Sequence, residues 1–156
     1  MEQADLDAVG ALAGRLVRLH VAFDPLRFLA IDEPERGYAR YFGSQLRREE
    51  VVLLVAEAEG PPPAVVGYAF ARLEPLSYEE LRRACGKLHD LYVDEAARGG
   101  GVGEALLREA LGALHARGAP RVVLTTAVQN EAAQRLFAKV GFRTTMLEMT
   151  REATEA

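Results

Sequence analysis

Cysteine is nearly missing from this sequence: its 156 residues include one, Cys85. A lone thiol forms no internal disulfide and builds no zinc site, so nothing here asks for an oxidising compartment. Histidine is almost as scarce, and His20, His89 and His115 stand too far apart for metal-ligand spacing. No apolar run approaches the ~20 residues that span a bilayer. The start, MEQADLD, is acidic where a secretion signal is basic and then apolar, so a cytoplasmic protein is expected. An excess of positive charge is also lacking. Nineteen Lys and Arg against 23 Asp and Glu give a net charge of −4, so binding led by nucleic-acid phosphates has no electrostatic support. A cationic partner is easier to accommodate.

What is present has the balance of an ordinary globular chain, 49% hydrophobic and 27% charged, at a length that fits one domain over residues 1–156. Only Glu152 to Ala156 reads as a loose tail. Leu6, Val9, Leu12, Ala13, Leu16 and Leu19 recur at helical spacing, with Asp5 and Asp7 at the end that favours negative charge. A second helix is expected over about Tyr38 to Arg48, after the breakers Pro34 and Gly37. Val51–Glu57 and Ala64–Leu73 are β-rich and joined by a Gly-Pro turn, which predicts an antiparallel pair. Ser77-Tyr78-Glu79-Glu80 matches a capping box and predicts a short helix to about Ala84, leaving Cys85 in a loop. Next come a strand over Leu88–Asp94, a glycine-rich turn, a helix over Val102–Arg117 and a strand over Arg121–Val128. A helix over Asn130–Val140 and a final strand or bent strand pair over Phe142–Thr150 follow. Gly118 and Gly141 are the expected helix caps. This order predicts an α/β mixed sheet with helices on both faces.

The turn Arg98-Gly99-Gly100-Gly101-Val102-Gly103 lies between a strand and a helix. Glycines let the backbone approach a ligand, and the first-turn amides of the helix carry partial positive charge, so the arrangement suits a phosphate or pyrophosphate with Arg98 beside it. Taken alone, such a loop can also be a flexible connection, the lesser of the two readings. A Rossmann fingerprint fails because Glu104 or Leu106 stands where its third glycine is needed, and no Gly-Lys-Ser/Thr of a Walker A loop occurs. The turn resembles the pyrophosphate-binding motif of the GNAT superfamily of N-acetyltransferases: Arg or Gln, two residues, Gly, one residue, then Gly or Ala. Asn130-Glu131-Ala132-Ala133-Gln134-Arg135-Leu136-Phe137-Ala138-Lys139-Val140-Gly141-Phe142 is similar to that family's second signature, with Phe137 at its tyrosine. The resemblance covers roughly Val51 to Thr150. The family's opening strand has no counterpart here, which suggests a shortened start or a truncated gene model.

The resemblance implies acetyl-CoA as donor, no metal, an amine acceptor and, commonly, a homodimer. It implies that the strands Leu88–Asp94 and Arg121–Val128 splay to admit pantetheine. Main-chain groups of Leu91, Tyr92 and Val93 would pair with the arm, Asn130 would contact it while capping the last helix, and Phe137 would pack beside it. The cofactor loop would be Arg98, Gly99, Gly100, Gly101, Val102 and Gly103. Transfer to an amine requires a base and a way to stabilise an oxyanion. His89 is the leading base, and a histidine packed in the sheet with one hydrogen bond is the competing reading. Strand alternation puts His89 with Leu91 and Val93 on one face, and Asp90 with Tyr92 on the other, unless a bulge intervenes. Asp90 and Tyr92 are alternative catalytic groups, and a main-chain N–H near Tyr92 or Val93 is the oxyanion donor. Glu74, Tyr78, His20, Asp24 and Tyr38 are secondary acceptor-site candidates, and Cys85 is a weak candidate for a covalent intermediate. The rival functional class is an acetyl-CoA-holding sensor or interaction module, which Phe137 keeps open.

Overall fold

The computed structural model describes residues 1–61 and 63–153 of the chain. Pro62 of the Gly-Pro turn and the end of the expected tail, Thr154–Ala156, lie outside the described residues. Helix α1 (Leu6–Phe23) follows the apolar spacing read above and buries Leu6, Val9, Leu12 and Ala13. Helix α2 (Pro34–Gln45) starts earlier than the expected Tyr38. Pro34 is its first residue and not a breaker, because proline's fixed φ suits a position whose N–H needs no partner. The two helices touch closely: a Cβ added at Gly10 would stand 2.5 Å from the carbonyl oxygen of Glu35.

Strands β1 (Val51–Ala58), β2 (Ala64–Glu74), β3 (Cys85–Val93) and β4 (Val122–Leu124) lie in that order in one sheet. The first three are antiparallel, and β4 joins parallel to β3 after the crossover through helix α3 (Val102–Ala116). Helix α4 (Glu131–Lys139) follows β4. The sheet separates two apolar cores. On one face α1 and α2 cover Val51, Tyr68, Phe70 and Tyr92. On the other, α3 and α4 cover Val52, Ala69, Ala71 and Leu88, with Leu107 and Leu114 fully buried at about 1.5–3 kcal/mol each. Mixed sheet and two-sided helices are as the sequence predicts.

Four local expectations are corrected. No helix forms over Tyr78–Ala84: Ser77 and Arg82 close a tight turn, and the Ser77 hydroxyl accepts from the Glu80 amide at 3.2 Å within it. Leu81 at φ 48 breaks any helical path. Cys85 is accordingly the first residue of β3, buried, and not a loop residue. The strand expected over Arg121–Val128 stops at Leu124, because the chain turns immediately afterwards; the carbonyls of Ala127 and Val128 accept from the Gln134 side chain, and Ala127 also accepts from the Asn130 amide. Phe142–Thr150 forms no strand, since it lies along no sheet edge that could supply partners. Among the described residues no strand precedes α1, and no helix is long and apolar enough to cross a membrane.

Candidate active site

The centre of β3 departs from regular pleating. Phe70 of β2 faces Asp90, and the next residue, Ala71, faces Leu88, so His89 is an extra residue in the strand. This bulge corrects the simple alternation. Leu88 and Leu91 both point into the core under α3, leaving the two consecutive side chains of His89 and Asp90 on the opposite face. His89 stacks on Phe70 with ring centroids 5.1 Å apart. Its Nε2 lies 3.1 Å from the Glu74 carboxylate, which also accepts from Arg72. A carboxylate only accepts, so Nε2 carries the proton and Nδ1 keeps the lone pair. Burial pushes the His89 pKa below its ordinary value, against the partial opposition of Glu74. Glu74 is itself held below the usual carboxylate range by Arg72 and His89, although burial works the other way. The sequence offered Glu74 only as an acceptor-site candidate; pairing with His89, fifteen residues away, depends on the β2–β3 register.

Asp90 lies half-buried on this face beside Tyr68, and burial raises its pKa to about 6 despite a hydrogen bond from the Tyr68 hydroxyl at 3.2 Å. Tyr92 is buried on the same face.

Beside this face the sheet opens. Strands β3 and β4 pair over Gly86–Leu88 and Val122–Leu124, so among the described residues the β3 backbone from His89 to Val93 has no strand neighbour on that side. A small cavity at the parting is lined by His89, Asp90 and Leu91 from β3, Phe137 from α4 and its capping residue Asn130, and His20 from α1. Thr125 and Thr126, which the sequence did not single out, complete the wall. Asn130 caps α4, its side chain accepting from the Ala133 amide at 3.2 Å. Phe137 is buried and meets Phe142 edge to face.

The glycine turn follows β3 directly. Gly99 and Gly101 adopt φ of 84° and 85°, a region that side-chain-bearing residues avoid. Gly101 is the residue before α3, and Val102 and Gly103 begin the helix. Among the described residues the amides from Gly99 to Glu104 donate to no protein acceptor, and a Cβ at Gly99, Gly100 or Gly101 would meet nothing within 4 Å. The result is an open cradle of N–H donors at the positive end of a four-turn helix, a fit for a pyrophosphate. Arg98 stands at its rim, with Nε donating to the Val93 carbonyl at 3.0 Å and the guanidinium over the Tyr92 ring. That carbonyl is thus engaged, while the outer nitrogens of Arg98 face solvent beside Glu95.

Other candidates fall away from this geometry. Tyr78 is exposed in the Ser77–Arg82 turn, and Asp24 accepts from the amides of Leu26 and Arg27 to close the loop after α1. Cys85 is buried against Arg82 and is outside the cavity lining. Tyr38, by contrast, stays near: it is half-buried on α2 against Phe42, where burial and then the charge of Asp90 raise its pKa.

Comparison with known proteins agrees with this architecture. The acetyltransferase (GNAT) family model matches residues 16–142. An uncharacterised N-acetyltransferase of Methanocaldococcus jannaschii is 31% identical over 109 residues, which is 69% of this chain and 46% of that protein. A mycothiol acetyltransferase of Saccharomonospora viridis is 33% identical over 88 residues, 56% of this chain and 29% of that protein. The chain therefore spans less than half the length of these curated relatives. In three dimensions a mutant form of the BH1408 protein of Bacillus halodurans superposes with a TM-score of 0.84 at 22% identity, covering 99% of this chain and 97% of that one. With the family model running from the middle of α1 to the end of α4, this chain belongs to the GNAT acetyltransferase family.

Proposed function

We propose that this chain moves an acetyl group from acetyl-CoA to a primary amine of a small molecule or protein, directly within a ternary complex. The observation that carries the reading is the cradle of free amides at Gly99–Glu104 following directly on β3, the strand whose second half parts from β4. Acetyl-CoA supplies an activated acyl group on a thiol leaving group. The amides from Gly99 to Gly103 hold the pyrophosphate, and the outer nitrogens of Arg98 add charge-assisted hydrogen bonds. Main-chain groups of Leu91 and the amide of Val93, which face away from β2, pair with the pantetheine arm, Asn130 contacts it, and Phe137 packs against it. A β3 amide near Tyr92 or Val93 donates to the developing oxyanion.

His89 is the proposed base. Glu74 fixes its tautomer, and its lowered pKa keeps Nδ1 free of a proton at neutral pH. A second base reading rests on Asp90, which lines the same cavity and, with a pKa near 6, is largely ionised at neutral pH. Tyr92 or water protonates the departing thiolate, since Phe137 has no proton to give; a thiolate leaves tolerably near pH 7 without an acid. The net charge of −4 and the Asp90 carboxylate favour a cationic acceptor.

The test is titration calorimetry with acetyl-CoA followed by thiol release over a panel of polyamines, amino acids, aminoglycosides and peptides. Amine-dependent release is expected. His89→Ala should lower kcat by roughly 10²- to 10⁴-fold while acetyl-CoA affinity is kept. An unchanged kcat would return His89 to a packing role, and the same loss appearing only in Asp90→Asn would move the base by one residue. Tight binding without release on any amine would establish the sensor class instead.

A further inference from the structure

Strand β2 turns three side chains to the face it shares with His89. Phe70, Arg72 and Glu74 alternate along it with Ala71 and Leu73, which belong to the core under α3. Phe70 carries the imidazole on its ring, and the Glu74 carboxylate accepts from the imidazole Nε2. Arg72, the residue between them, is absent from the cavity wall. Its Nε nevertheless donates to Glu74 at 2.7 Å, and on the same oxygen, Oε1, that Nε2 of His89 meets at 3.1 Å.

That shared oxygen lies far from where a glutamate at position 74 would ordinarily stand. Glu74 faces Cys85 across the ladder, and His89 lies beyond the Ala71–Leu88 pair, so ~10 Å of strand separates the two residues. Side chains of a strand stand out from the sheet, and a glutamate closes this gap only by lying along it toward a ring that leans to meet it. Lying flat takes its carboxylate out of water: the Glu74 side chain is 14% exposed, against 37% for Arg72. Burial resists the charge of Glu74, and without a partner the carboxylate would turn outward at the end of β2, beside the exposed Pro75 and Leu76. A guanidinium on the same oxygen reverses that preference. Arg72 also lets the carboxylate orient the ring without charging it. A lone carboxylate draws a second proton onto an imidazole, whereas the positive charges of Arg72 and of Lys87 on β3 oppose that proton.

We propose that Arg72 is a positioning residue: it holds the Glu74 carboxylate along β2 and, through it, sets the orientation of the His89 ring. That this hold reaches the rate of transfer rests on His89 being the base. That it reaches the ring does not.

The test uses the full chain labelled with ¹⁵N-histidine, the His89 ring being assigned by its absence from His89→Gln. A hydrogen-bonded Nε2–H gives a resolved proton signal, which exchange with water erases once the acceptor leaves. Wild type should show the signal, Arg72→Met should lose it, and Arg72→Lys, which keeps a charged donor, should retain it. Arg72→Met should also forfeit part of the roughly 10²- to 10⁴-fold that a base contributes to kcat. In a cycle with Glu74→Ala, the double variant should be no slower than the slower single one, because both changes break one chain of contacts. A wild-type ring without the signal, a signal that survives in Arg72→Met, or losses of kcat that add in the double variant would each overturn the role of Arg72. Loss of the signal in Arg72→Met with kcat unchanged both there and in His89→Ala would uphold the hold on the ring and remove His89 as the base.

Discussion

Asp90 shows how burying one ionisable side chain costs stability. Burial raises its pKa to about 6, partly opposed by the Tyr68 hydroxyl, so the folded protein holds this proton more tightly than the unfolded chain does. Between about pH 4 and 6 the folded state binds more protons, and its stability must fall as pH rises through that window. Asp90→Asn removes the ionisation while keeping the shape. We expect it to flatten this part of the stability–pH curve and to gain up to about 3 kcal/mol at pH 7, measured by urea unfolding at several pH values. A curve parallel to wild type would mean that the carboxylate is better solvated than its surroundings indicate. The neighbouring His89 marks where residue-level reading met its limit. Its identity as a candidate was legible from the strand, but its face was not, because the bulge that turns it is set by the β2 register and not by any local signal.

At the level of elements, the helices were legible and the weakest strands were not. Apolar spacing located α1 and α3, and the glycines after α3 and α4 adopt the positive φ that helix ends call for, 87° at Gly118 and 102° at Gly141. Strands need a partner as well as a propensity, which is why β4 is three residues long and Phe142–Thr150 forms no strand. The turn before α3 separates two uses of glycine and offers a clean probe. Gly101 has a positive φ, so Gly101→Val strains the backbone by about 1–3 kcal/mol whatever it does to a ligand. Gly100 has no such φ and open space around it, so Gly100→Val should change stability by less than about 0.5 kcal/mol. The same change puts branched carbons into the cradle. Acetyl-CoA affinity, measured by calorimetry, should fall at least tenfold in Gly100→Val; wild-type affinity there would refute the pyrophosphate assignment.

Across the whole molecule, β2 and β3 carry both cores, with Tyr68, Ala69 and Ala71 fully buried on alternating sides. Amide hydrogen exchange should be slowest at the centre of these strands and faster along β1 and β4, which lie at the edges. Acetyl-CoA should add protection at Gly99–Glu104 and Leu91–Val93; protection confined to α1 and α2 would place the donor on the wrong side of the sheet. The extra residue in β3 ties these regions together by parity. A pleated strand counts odd and even, and the bulge changes the count once, so that Leu88 before it and Leu91 and Val93 after it belong to the same core. Deleting His89 would therefore remove the bulge along with the imidazole and leave both cores in place: Leu88 and Asp90 would become neighbours opposite Ala71 and Phe70, and Leu91 and Val93 would keep their side of the sheet. Position 89 is spare to the pleat, and what the extra residue adds to the strand is an imidazole beside Asp90.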